Sequence, residues 1–488
     1  MSSPGPTPYR GDDKLLFGII LGVLAFWLFA QTTLNIAPAM AADLGVATNV
    51  MNIAVSITAL FSGIFVVVAG GLADRVGRVT ILMWGFVFGI VGSLLVGLAP
   101  PGPLAVPLLM LGRIAQGLSA AFVMPASLAL IKTYWDDAGR QRAVSLWSMG
   151  SWGGSGFAAL FGGLMAENVG WRCIFFASAA VSAAGMAMVR GTPESKAAVD
   201  QDYRFDTVGV LTFMVTMVAL QVLATQGSDI GWTHPLTLSL GAVAAVFGVM
   251  FFKAETKARN PFVNFALFHN PTYTGATISN FLLNGVAGML LVSMMLLQLG
   301  GGLSAQRAGM LTVGYAIAIV AFIRIGEKLL QSFGARRPMI WGGVIVGISI
   351  VMLMPTHLLL RPYTILAVAS YTLFGLGLAF YATPSTDAAL SNLPDDQAGS
   401  GSGLYKMASS LGASFGVAIS AAIFTALSAE TESTRWLEGV ITFAGRQDNV
   451  AVRTGALVAL AFNLLMVVAA VLSIMLTVPS RNATTRPR

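Results

Sequence analysis

The sequence has a single cysteine, Cys173, and only three histidines, His234, His269 and His357. One cysteine makes no intramolecular disulfide, and so few sulfur and imidazole groups assemble no Cys/His zinc site. Charge is scarce as well: Asp, Glu, Lys and Arg make up 10% of the 488 residues, against about 25% in a soluble domain. An N-terminal basic segment leading to a short apolar run and a small-residue cleavage site is missing. There is no G-x-x-x-x-G-K-[ST] loop, and the Gly-Ser-Gly-Ser-Gly run at 399–403 lacks the strand and helix context of a dinucleotide site. Ser/His/Asp or His/acid clusters that an intramembrane enzyme would need are absent too. No catalytic residue, metal or organic cofactor is expected.

What the chain does have is hydrocarbon. It is 56% hydrophobic, its mean hydropathy is +0.77, and 54 glycines are dispersed along it, a residue more frequent in membrane helices than in soluble ones. A water-soluble fold is ruled out. A hydrocarbon core about 30 Å thick takes about 20 apolar residues per helix, and fourteen such windows begin near Leu15, Val50, Thr80, Ala105, Arg142, Trp171, Asp206, Leu236, Tyr273, Ala305, Pro338, Pro362, Ser402 and Arg453. The first is expected to be retained as a membrane helix. An even number puts both termini on one side. If that side is the cytoplasm, 19 of the 28 Lys and Arg fall in inner segments and 6 in outer ones, the asymmetry that orients membrane helices. The net charge of +7 then reports topology rather than a nucleic-acid partner.

Three echoes in one register reveal a duplication. Leu72–Arg78 returns as Leu329–Ala335 at an offset of 257. Leu146-Trp147-Ser148-Met149 with Gly154 returns as Leu404-Tyr405-Lys406-Met407 with Gly412, at 258. Gly117–Phe122 returns as Gly375–Phe380, followed by Pro125 and Pro384 respectively. The expected organisation is a short tail (1–14), a six-helix bundle (15–190), an inserted helix pair (206–253), a second six-helix bundle (273–477) and a tail (478–488). An inserted pair preserves parity, so the two bundles are parallel repeats, an arrangement used by transporters with a midplane site.

Gly71-Leu72-Ala73-Asp74-Arg75-Val76-Gly77-Arg78 resembles the loop between helices 2 and 3 of the major facilitator superfamily, and Arg113-Ile114-Ala115-Gln116-Gly117 resembles its helix-4 motif. The stretches FWLFAQ (26–31), GSWGGSG (150–156), GATISNFLLNGVAG (275–288), GEKLLQ (326–331), YATPSTD (381–387) and YKMASSLG (405–412) look like the quinolone-resistance pumps among that superfamily's fourteen-helix drug:proton antiporters. The resemblance covers nearly the whole chain. It implies an all-α membrane protein of fourteen transmembrane helices, driven by the proton gradient, that exports amphipathic drugs as a monomer from the bacterial inner membrane. Uptake, or export of a metabolite with drugs incidental, is the alternative.

Asp74, Arg75, Gly77 and Arg78 form a short turn between helices. Asp74 can accept hydrogen bonds from helix N-termini or pair with a nearby arginine, which makes the turn a conformational latch or else a solvated loop. Arg113 falls near mid-bilayer, where an arginine costs about 2.5 to 3.5 kcal/mol. The resemblance assigns it to proton coupling; a structural role bonding carbonyls is the other reading. Arginine stays charged, so coupling requires an acid. Many fourteen-helix relatives place an aspartate in helix 1 where this chain has Gln31. The acids nearest the spans are Asp43, Asp74, Glu327 and Asp387, all at helix ends; of these Asp387 is the favoured titrating candidate, and solvation of the helix end is its other reading. Helix 5 has Ala158-Ala159 in place of Gly-Pro. Candidate substrate contacts are Phe29, Gln31, Asn35, Trp147, Trp152, Asn280, Asn284, Tyr381 and Tyr405, aromatic and amide groups inside spans. Gln31 with Asn35, and Asn280 with Asn284, are four apart and share a helix face. Gly150, Gly154, Gly412 and Gly416 have the G-x-x-x-G spacing of close helix crossings.

Overall fold

The computed structural model describes residues 9–154, 162, 165, 168–197, 206–258, 261, 263–358, 360–429, 443–445 and 449–480. Their regular structure is helical throughout. The α-helices are α1 (Asp13–Leu44), α2 (Thr48–Val76), α3 (Arg78–Gly97), α4 (Ala105–Tyr134), α5 (Asp137–Ser148), α6 (Arg172–Val189), α7 (Thr207–Ile230) and α8 (Pro235–Lys257). They continue as α9 (Pro271–Gly285), α10 (Gly288–Met295), α11 (Ala305–Met310), α12 (Val313–Phe333), α13 (Arg336–Leu353), α14 (Leu360–Ser391), α15 (Ala398–Ala429) and α16 (Val450–Thr477). Asp12 starts α1 by accepting the Leu15 amide at 2.7 Å, and Asn270 starts α9 through the amides of Thr272 and Tyr273. Both satisfy donors that a helix N-terminus leaves without partners. Pro125 and Pro384 lie inside α4 and α14, as membrane helices tolerate.

Where their residues are described, the fourteen windows coincide with helix. Among the described residues, twelve helices are long and apolar enough to cross a membrane. Of the other two windows, α7 has an apolar stretch of 17 residues, Thr207–Leu223. The window at Arg142 is α5 with a π-helical turn at Met149–Gly153, running on into residues outside the description. Two windows are interrupted: that at Tyr273 divides into α9, α10 and a π-helical turn at Leu296–Gly300, and that at Ala305 into α11 and α12. Ile365, Leu465 and Leu476 are 66%, 67% and 84% exposed, an apolar outer face that suits lipid better than water.

The chain forms two compact units. One comprises Met1–Val210, Ala254–Asn264 and Leu390–Lys406; the other comprises Leu211–Lys253, Phe265–Ala389 and Met407–Arg488. In the first, α4 packs along α2 and α3, and α6 along α1 and α3. In the second, α16 packs along α9 and α13.

The duplication read from the sequence recurs in the packing inside each unit. A Cβ on Gly117 would sit 2.7 Å from the Thr58 carbonyl oxygen, and one on Gly375 would collide with the Tyr315 carbonyl. Thr58 and Tyr315 are 257 apart, the glycines 258. Likewise Gly154 packs on Leu24 and Trp27 of α1, while Gly412 packs on the Phe281 backbone of α9; Leu24 and Phe281 are again 257 apart. At Gly117, Gly375 and Gly412 backbone occupies space that a side chain would take, and at Gly154 the side chains of Trp27 and Leu24 do.

Candidate functional site

The turn after α2 is a closed polar knot. Gly77, at φ +135°, carries the chain from α2 into α3 in a conformation that L side chains rarely adopt. Two residues on either side of that turn, Asp74 and Arg78, are 4% and 2% exposed. Arg78 donates from Nε (3.1 Å) and Nη2 (2.9 Å) to Asp74 Oδ1, and also to Thr133 Oγ1, Ser195 Oγ and the Asp395 carbonyl. Asp74 in turn accepts the amides of Gly399 at 2.7 Å and Ser400 at 2.8 Å. Those amides open α15, where unpaired N–H groups and the helix dipole favour a negative charge. Gly70 and Gly399 let the two backbones meet there, since a Cβ on either would strike the other's carbonyl.

The segment after α6 seals the knot from another side. Glu194 accepts the amides of Val79 and Thr80, both at 2.9 Å, capping α3. The Ser195 carbonyl accepts the Arg78 amide, and the Ala197 amide donates to the Asp74 carbonyl. The sequence reading found the turn but missed Glu194, Ser195, Gly399 and Ser400. The small-residue run at 399–403 was the available signal.

Arg113, 1% exposed, ties three helices together. It donates from Nη1 to the Phe29 carbonyl (2.9 Å), Thr33 Oγ1 (3.2 Å) and Gln116 Oε1 (2.8 Å), and from Nε to the Ala54 carbonyl (3.1 Å). Thr58 Oγ1 donates to the Arg113 carbonyl, and Gln116 Nε2 to Ser93 Oγ. Each of these acceptors is neutral, and among the described residues Arg113 has no ion pair.

In the second unit Tyr381, fully buried, shares hydrogen bonds with Ser279 Oγ at 2.7 Å and Ser385 Oγ at 2.9 Å. Asn280 donates to Ser409 Oγ at 2.6 Å, and Asn284 donates to Asn280 at both its carbonyl and its side-chain oxygen. The predicted shared face of the two asparagines is therefore a hydrogen-bonded pair. Asp387 stands one turn before the end of α14 and is 5% exposed, an acid buried rather than solvated at a helix end.

The remaining candidates divide between buried and half-buried. Phe29 and Trp147 are each 1% exposed and Tyr405 4%. Trp147 Nε1 donates to Ser127 Oγ at 2.9 Å, and the Lys406 ammonium lies 5.0 Å from the Trp147 ring. Trp152 is half-buried in the π-helical turn. Arg75 is partly exposed at the end of α2. The side chains of Gln31 and Asn35 lie outside the described residues. A cavity of about 240 Å³ in the second unit is lined by Leu296, Leu358, Leu360, Tyr363 and Arg453, among others; it includes none of the candidates.

A model described as the Major Facilitator Superfamily matches residues 15–417 and 273–485. The chain is 42% identical over 485 residues to Quinolone resistance protein NorB of Staphylococcus aureus strain MRSA252, an alignment covering 99% of this chain and 100% of that protein. The corresponding protein of strain COL is similar to the same degree. Among solved structures, the fold is similar to the proton:xylose symporter XylE bound to 6-bromo-6-deoxy-D-glucose, with a TM-score of 0.64 at 16% identity over 96% of each chain. It is also similar to the human organic anion transporter MFSD10, with a TM-score of 0.56 at 13% identity over 93% of this chain and 98% of that one.

Proposed function

The chain belongs to the major facilitator superfamily, and on that premise we propose that it is a multidrug efflux pump of the bacterial cytoplasmic membrane, exporting amphipathic drugs such as quinolones in exchange for protons. The observation that carries this reading is the 42% identity to Quinolone resistance protein NorB along essentially the whole of both chains. In this reading both termini are cytoplasmic, the pump works as a monomer with no cofactor beyond the proton gradient, and two related bundles (15–190 and 273–477) flank an inserted helix pair (206–253).

Arg113 and Asp387 are the proposed proton-coupling residues. Arg113 holds its charge in a low-dielectric core through neutral oxygens of α1, α2 and α4, so it biases a proton site by its field and not by giving up its own proton. Asp387 is the acid that titrates. Asp74 and Arg78 hold the first turn of α15 in one of the states between which the pump alternates, with Arg75 and Gly77 shaping the turn. Aromatic and amide groups, Phe29, Gln31, Asn35, Trp147, Trp152, Asn280, Asn284, Tyr381 and Tyr405, contact the drug.

The test is drug accumulation in cells with and without the protein, before and after a protonophore collapses the gradient. Lower accumulation that rises on collapse supports the proposal. Efflux indifferent to the gradient removes proton coupling, and accumulation that increases with the protein present turns the reading to uptake.

A further inference from the structure

Three basic side chains lie well inside helices that can cross a membrane: Arg113, Arg324 and Lys406. Arg113 is satisfied by four neutral acceptors, and Arg324 pairs with Glu327. Lys406 has neither. It stands eight residues after the start of α15, about 12 Å along the helix. Among the described residues its ammonium has no ion pair and no hydrogen bond, and its one charge-accommodating contact is the face of Trp147, 5.0 Å away.

That contact does not balance the charge. A cation over an indole gains about 0.5 to 2 kcal/mol, while a lysine in the hydrocarbon interior costs about 2.5 to 3.5. The site therefore retains an unmet demand for an anion. The indole cannot swing away to relieve it, because its N–H is held by Ser127 and the ring is 1% exposed. Lys406 itself is only half-buried, so a solute can reach it. One turn earlier on the same face of α15, Ser402 is buried with a hydroxyl that has no partner among the described residues, a second donor for an incoming oxygen.

We propose that Lys406, braced by the buried Trp147 ring, forms a recognition point for the carboxylate of an amphipathic substrate. The carboxylate pairs with the ammonium, which the indole holds in place. This rests on the exporter reading and narrows its substrate class to amphipathic acids, anionic or zwitterionic. In the sequence Lys406 stands inside the YKMASSLG stretch and the Leu404-Tyr405-Lys406-Met407 echo.

The experiment uses the purified full-length protein and two probes, norfloxacin and its decarboxylated analogue. Binding is measured by equilibrium dialysis and transport in proteoliposomes with an imposed pH gradient. Wild type should bind norfloxacin at least tenfold more tightly than the analogue. Lys406→Gln should reduce that ratio by at least tenfold, and Lys406→Arg should retain most of it, because a charge-assisted pair exceeds a neutral one by about that factor. A wild-type ratio near one, or a ratio unchanged in Lys406→Gln, overturns the proposal. Should Lys406→Gln fail to fold, the wild-type ratio and Lys406→Arg still decide. Norfloxacin binding that depends on Lys406 without transport refutes the exporter reading and leaves the recognition point standing. Transport whose probe preference ignores Lys406 does the reverse, and no binding of either probe refutes the recognition point.

Discussion

Replacing Asp74 by asparagine should raise the rate at which the first turn of α15 opens by about a hundredfold. The carboxylate carries four contacts, two amides of α15 at 2.7 and 2.8 Å and two Arg78 nitrogens at 2.9 and 3.1 Å. Hydrogen bonds to a charged group are worth about 1.5 to 3 kcal/mol each against about 1 for a neutral one. Asparagine keeps a single acceptor oxygen and turns an NH2 group toward donors, so one amide or Arg78 goes unserved. A net loss of about 3 kcal/mol follows, which at about 1.4 kcal/mol per tenfold is two orders of magnitude. The assay is hydrogen exchange by mass spectrometry on peptides spanning 398–406, where Gly399 and Ser400 report directly. Exchange there within threefold of wild type would refute the claim that Asp74 holds this helix end, whatever the variant did to transport.

Arg113→Lys preserves the charge but has three donors on one nitrogen, too few and too close together to reach Phe29, Ala54 and Gln116 at once. It should lower the detergent melting temperature by several degrees and abolish gradient-driven efflux; wild-type values for both would remove the arginine from the proposed coupling. Asn280→Ala leaves Ser409 and Asn284 each short of a partner and should cost about 1 to 3 kcal/mol in the same melt, with no change indicating that water replaces the amide. Gly412→Val drives a side chain into the Phe281 carbonyl, so folded protein recovered in detergent should fall severely, while full recovery would mean α9 and α15 can separate at little cost.

Local regularities were readable from the residues, and long-range meetings were not. Hydropathy located the twelve helices that are long and apolar enough to cross a membrane among the described residues, because each must match the hydrocarbon thickness unaided. The i, i+4 spacing of Asn280 with Asn284 translated into bonds, because helix geometry alone fixes those neighbours, whereas Asp74 meets Arg78 across the Gly77 turn. The Arg113 prediction placed a charge in the interior but not its ligands, since carbonyls released toward it belong to no residue type and leave no trace in the letters. Gly399 and Ser400 lie 325 and 326 positions from Asp74, and a Gly-Ser run reads as a linker until a second helix is seen to press against it. The breaks within the Tyr273 and Ala305 windows were hidden because unbroken apolarity does not encode where a helix changes its winding.

The clasp made by Glu194, Ser195 and Ala197 marks where this polypeptide can be severed. All three belong to the first unit and are bonded to the α2–α3 corner, so a break engineered after Ala197 leaves those bonds on the first fragment, and Asp395, Gly399 and Ser400 of the second fragment still have their partners to meet. Two such pieces, synthesised as separate chains, should reassemble. Moving the cut a few positions earlier, between Gly191 and Thr192, strips the corner of its cap and should leave the first piece to degradation.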